Sequence, residues 1–110
     1  MKIEDKEGYI LINSEGNSFD VFFKKFEKEH TNFEENHLIV HISPEINSNE
    51  KNISLFLSYA DLHQQNGTSF VLICQNVDVD VFPETFNIVP TLVEAEDVIE
   101  MENIQRDLGF

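Results

Sequence analysis

Three short apolar runs constrain this chain more than any other feature: Tyr9-Ile10-Leu11-Ile12, His37-Leu38-Ile39-Val40-His41-Ile42 and Phe70-Val71-Leu72-Ile73-Cys74. Strands with apolar residues at nearly every position suit a sheet covered on both faces, and that is the environment of parallel strands. The segments between the runs have helical rather than alternating periodicity. Strand, helix, strand, helix, strand is the order of an α/β layer with a mostly parallel sheet and right-handed crossovers.

The remaining elements follow from period and punctuation. Lys2-Ile3-Glu4 is expected to pair with the first run across Gly8. Phe19, Phe22, Phe23, Phe26 and Phe33 share helical spacing, with Lys24, Lys25, Glu27, Lys28 and Glu29 between them. This predicts an amphipathic helix capped by Ser18 or Asn17, its phenylalanines facing the core. Ile53, Phe56, Leu57, Ala60 and His63 mark a second helix, with Asn47 and Glu50 as a capping box and Asn66-Gly67 as left-handed residues ending it. Asp78 to Phe86 predict a short helix with Pro83 in its first turn, and Asn87-Ile88-Val89 a short edge strand. Thr91-Leu92-Val93-Glu94 is a T-x-x-E capping box opening a last helix. Its apolar positions, Leu92, Ala95, Val98, Ile99, Ile104 and Leu108, are expected to pack on the sheet, with Gly109 at its end.

With 110 residues the chain fits one domain, 1–110. It is 41% hydrophobic with ten phenylalanines, too apolar for disorder in spite of a net charge of -14. That charge argues against a nucleic-acid or anionic-membrane partner, whose phosphates it would repel. No apolar run approaches a membrane span, the first residues show no secretory h-region, and Cys74 is the one cysteine. These features predict a reducing, cytoplasmic setting. Only Arg106 is basic after Lys51, against ten acids. The last third is therefore either a solvated, solubility-giving face or a docking surface for a basic partner.

Recognisable chemistry is scarce. No phosphate-binding glycine motif and no G-x-S-x-G elbow occurs. His37 and His41 share one strand face, but H-L-I-V-H lacks the glutamate of H-E-x-x-H and is not helical. His30 and His63 fall on other elements, and Cys74 alone makes no zinc site. Acidic pairs such as Glu34-Glu35 and Glu96-Asp97 arise readily at this charge density. The expectation is no metal, no cofactor and no catalysis. Ser43 to Lys51 stand out because they follow the middle strand, and in open α/β sheets partners bind beyond the carboxyl ends of strands. That segment is either an ordinary polar loop or a recognition surface formed by Ser43, Asn47, Ser48, Asn49, Glu50 and Lys51.

From His37 to Leu108 the sequence resembles STAS domains, the fold of sulphate-transporter tails and bacterial anti-sigma-factor antagonists. The resemblance lies in HLIVHIS, ISLFLSYADLHQQNG, TSFVLIC and IVPTLVEAEDVIE. The string IVPTLVEAEDVIEMENIQRDLGF also resembles short STAS-like chains of Bacteroidetes, some of them named ribonuclease Z through gene adjacency, although no H-x-H-x-D-H zinc motif is present. The resemblance implies a regulatory, protein-binding module whose partner is an anti-sigma factor that is also a serine kinase. Regulated members carry D-S-[ST]-G at the start of the second helix. Here that motif aligns with Ser48-Asn49-Glu50-Lys51, and none of the four residues matches. The phosphoacceptor position holds Glu50 or, with a one-residue slip, Asn49. Glu50 either mimics the modified serine or is the carboxylate a helix N-terminus favours. Ser48 and Ser54 are the neighbouring hydroxyls a kinase could reach. The whole reading is a STAS-like α/β domain, a mostly parallel or mixed sheet of about four or five strands against about four helices, binding a protein partner. The alternative is a small-molecule sensor of the same fold.

Overall fold

Each crossover in this chain steps in the same direction. In the computed structural model, which describes residues 1–46 and 49–109, the sheet order is the chain order, β1 to β5. β1 (Lys2–Lys6) and β2 (Tyr9–Asn13) form an antiparallel hairpin turning at Glu7-Gly8, where Gly8 takes φ +92°. β3 (Leu38–His41), β4 (Phe70–Ile73) and β5 (Asn87–Val89) then add in parallel. Both edges are blunted, β1 by lysines and acids and β5 by its three-residue length.

Crossovers of one direction and one hand put their helices on one face. α1 (Phe19–Glu29), α2 (Glu50–Ser54) and α3 (Leu57–Gln65) therefore cover one side, packing Phe19, Phe22, Phe26, Ile53 and Phe56 on Ile10, Ile12, Leu38, Val40, Phe70 and Leu72. α4 (Leu92–Asp107) covers the other side, where Ala95 and Ile99 meet Leu11, Ile39, Val71 and Ile73. Strand side chains alternate between the two cores, so the middle strands are buried on both faces. Phe56 is the hub of the first core, its ring against those of Phe19, Phe23, Phe26 and Phe70.

The α/β class and mixed sheet agree with the sequence expectation, and several local expectations do not. α1 stops at Glu29 and passes into a 3-10 turn, His30–Asn32, because Thr31 and Asn32 form helix poorly; Phe33 still packs on the core. Ser18 is its cap, accepting from the Val21 N–H. The second helix is two. Ser54 Oγ donates to the Lys51 carbonyl at 2.6 Å, Leu55 and Phe56 bond three residues back, and Phe56 turns fully inward. Such back-bonding loosens a helix, so α2 and α3 meet at a tight turn. The cap of α2 is Asn49, whose Oδ1 accepts from the Asn52 N–H at 2.8 Å, and Asn47 lies outside the described residues. Gly67 alone is left-handed after α3, at φ +76°, with Asn66 right-handed. Pro83 follows a 3-10 turn, Val79–Val81, instead of opening a helix, because Phe82 is already extended. Of the apolar α4 positions expected to pack, Ala95, Val98 and Ile99 do so; Leu92, Ile104 and Leu108 are exposed. At about 100° per residue, Ile104 and Leu108 fall on the side of the helix away from Ile99. Among the described residues no helix is long and apolar enough to cross a membrane.

Candidate functional site

The loops leaving β3 and β4 form the rim at the carboxyl end of the sheet. After β3 the chain is anchored by Ile42 and Ile46, both buried. Ser43 fastens the loop twice: its N–H donates to Ser14 Oγ at 2.8 Å, and its hydroxyl accepts from the Glu45 N–H at 3.3 Å. The Ile46 N–H returns to the Ser43 carbonyl, closing a tight turn around Pro44 and Glu45. Asn49 caps α2, and Glu50 and Lys51 stand exposed in its first turn.

After β4 the chain turns through Gln75 and Asn76. Asn76 is the one described non-glycine residue with positive φ, +62°, a conformation asparagine tolerates better than most side chains. Two clefts meet at this point. One, of about 410 Å³, lies between the loops and is lined by Ser43, Glu45, Asn49, Gln75 and Asn76. The second, about 400 Å³, continues past Asn49, Glu50, Lys51, Asn76 and Asp78. The fold thus brings Ser43, Asn49, Glu50 and Lys51 together on one rim, while Asn47 and Ser48 lie outside the described residues. Sequence reasoning missed Gln75, Asn76 and Asp78. Their signal was position: they follow the strand neighbouring β3 and so share its end of the sheet.

The opposite end is built differently. Ser69 donates its N–H to His37 Nδ1 at 2.9 Å and its hydroxyl to Glu102 at 2.6 Å, and accepts from Arg106 Nη2 at 3.0 Å. Asn87 donates to the other Glu102 oxygen, and Arg106 also donates to Asn103. Burial, then the nearby Arg106 charge, holds the His37 pKa below its usual value. A cleft of about 550 Å³ beside this network is the larger one, yet it lies at the far end from the predicted site.

Sequence reasoning also missed a buried histidine pair. His30 follows Phe26 by four residues and His63 lies on the inner face of α3, so each position faces inward, but their meeting depends on how α1 and α3 pack. Their Nε2 atoms are 2.8 Å apart, enclosed by Phe26, Tyr59 and Phe70. Thr68 donates its hydroxyl to the His63 carbonyl, which leaves Thr68 Oγ1 to accept from His63 Nδ1 at 2.8 Å. His63 Nε2 is then the acceptor and His30 Nε2–H the donor, a fully neutral arrangement. Burial first, then the neighbouring His30 and His37, pushes the His63 pKa down to about 4; burial also lowers that of His30, against a pull upward from Glu34.

On the α4 face, His37 and His41 flank Ile39 as expected, and His41 pairs with Asn13 rather than with His37. Among the described residues no group of three or more His, Cys, Asp or Glu is arranged to hold a metal ion. No protein-family model matches this sequence, and no curated protein matches it.

Proposed function

We propose that the chain is a protein-binding regulatory module of STAS type, acting by docking rather than by catalysis. The supporting observation is the rim itself: Asn49, Glu50, Lys51, Gln75 and Asn76 stand exposed around a half-buried Ser43 at the carboxyl end of the sheet. Such an end is where open α/β sheets meet their ligands and partners. The resemblance suggests the partner class, an anti-sigma factor with serine-kinase activity, and aligns Glu50 or, with a one-residue slip, Asn49 with the serine that regulated STAS domains carry. With a carboxylate there, docking would not depend on phosphorylation. The acidic surface would speed encounter with a basic partner.

The test is copurification from the native host at low salt, comparing the unaltered chain with Glu50→Lys. Retention of one protein that the variant loses supports the reading; no retained protein, together with no phenotype for the variant, ends it. The second reading, a small-molecule sensor, is favoured by the 550 Å³ cleft beside Glu102 and Arg106. A thermal-shift screen of metabolites separates the two, because a ligand of the folded state raises its melting temperature by mass action.

A further inference from the structure

α4 has two working faces. Ala95, Val98 and Ile99 seat it on the sheet, and Glu102 and Arg106 continue that side onto Ser69 and Asn87. At about 100° per residue the outward side carries Val93, Asp97, Met101, Ile104 and Leu108. Its four apolar members are 67%, 61%, 53% and 66% exposed for Val93, Met101, Ile104 and Leu108. They make an apolar stripe about 22 Å long at 1.5 Å per residue, far more than a lone surface hydrophobe.

The charge around the stripe is of one sign. Glu94, Asp97, Glu100 and Asp107 are exposed along it. The helix has a single cation, Arg106, and its guanidinium is turned inward onto Ser69 and Asn103. A second copy packed α4 against α4 would set these carboxylates against their own kind, on a chain of net charge -14. An anionic membrane would be repelled in the same way.

We propose that the outward face of α4 docks a cationic amphipathic helix of another protein. Its apolar side would lie on Val93, Met101, Ile104 and Leu108, and its lysines and arginines would reach Asp97, Glu100 and Asp107. This is the helix-on-helix mode of peptide recognition, in which an apolar stripe supplies affinity and flanking charge supplies orientation. The surface is separate from the rim, so the proposal stands or falls independently of the rim.

The full chain is titrated with a labelled helical Leu/Lys peptide of about 18 residues, with oligolysine of equal charge as the comparison. The Leu/Lys peptide should bind at least about tenfold tighter than oligolysine, and Met101→Gln with Ile104→Gln should remove at least about that factor. Asp97→Lys with Glu100→Lys should weaken it as well, and Glu50→Lys on the rim should weaken it far less. All substituted positions are exposed, and circular dichroism checks that the variants remain folded. Equal binding of the two peptides, or insensitivity to the Met101 and Ile104 changes, would overturn the proposal. So would dimerisation of the chain, or its adsorption to anionic phosphatidylserine vesicles, that those same changes abolish.

Discussion

Acidification should load the His30–His63 pair with a charge that the core cannot accommodate. In the unfolded chain these rings titrate near 6.5; in the fold burial pushes the His63 pKa down to about 4. Above pH 6.5 neither state holds the proton and the pair costs nothing. Below it the unfolded state takes up protons the folded state refuses, so stability falls until the folded ring itself titrates. One pH unit of separation is worth about 1.4 kcal/mol, so the gap from 6.5 to about 4 removes about 3 kcal/mol through His63 alone. His30 and His37 act with the same sign, since burial lowers both. A domain of this size has a total stability of about 5–15 kcal/mol, so the loss is a large share. A contrary effect must be separated: protonating carboxylates on a chain of net charge -14 relieves repulsion and stabilises the fold. The assay is therefore a pair of urea-unfolding series against pH, wild type and His63→Gln, followed by circular dichroism because there is no tryptophan. The stability difference between the two should shrink by about 1 kcal/mol per pH unit as pH falls from 6.5. Parallel profiles for the two proteins, or a His63 ring that titrates near 6.5 by NMR, would refute the reasoning.

Two further outcomes test the packing. Phe56→Ala should cost about 3–5 kcal/mol in urea unfolding, because the side chain is fully buried among four other aromatic rings at the turn between α2 and α3. Gly67→Ala should lower stability by about 1 kcal/mol through backbone strain alone, since a Cβ there meets nothing within 4 Å and the residue sits at φ +76°; an unchanged urea midpoint would contradict this.

The strands were legible because nearly every residue of β2, β3 and β4 is apolar, and only a sheet covered on both faces asks for that. The α4 start was legible because its cap is local: Thr91 Oγ1 accepts from the Glu94 N–H and donates to the Glu94 carboxylate. The break between α2 and α3 was not, because it depends on Phe56 turning into a core made of other elements. Ile104 and Leu108 were not legible as surface residues, because a count of apolar positions does not show that they lie about 140–180° around the helix from Ile99. Of the candidate site, the half after β3 was legible as the loop following the middle strand. The half after β4 was not, since Gln75, Asn76 and Asp78 look like any polar turn until the register of β3 and β4 sets them beside Asn49.

The contrast between the two ends of the sheet bears on where a partner can bind. At the amino end, Ser69 lies at 1% exposure between His37, Glu102 and Arg106, and the His30–His63–Thr68 chain lies behind it. Partners that occupy those groups must first break buried hydrogen bonds, and each group left unmatched costs about 1–3 kcal/mol. At the carboxyl end, Glu50, Lys51, Gln75, Asn76 and Asp78 are exposed, and the bonds that shape the loop run through Ser43, Ser14 and the backbone beneath them. An incoming surface there displaces water from side chains the core does not need. Cleft volume favours the amino end, at about 550 Å³ against about 410 Å³, but volume sets how much can fit and not what must be broken to fit it. Binding at the rim would leave those bonds intact; binding at the amino end would draw on the same hydrogen bonds that hold β4, β5 and α4 in place.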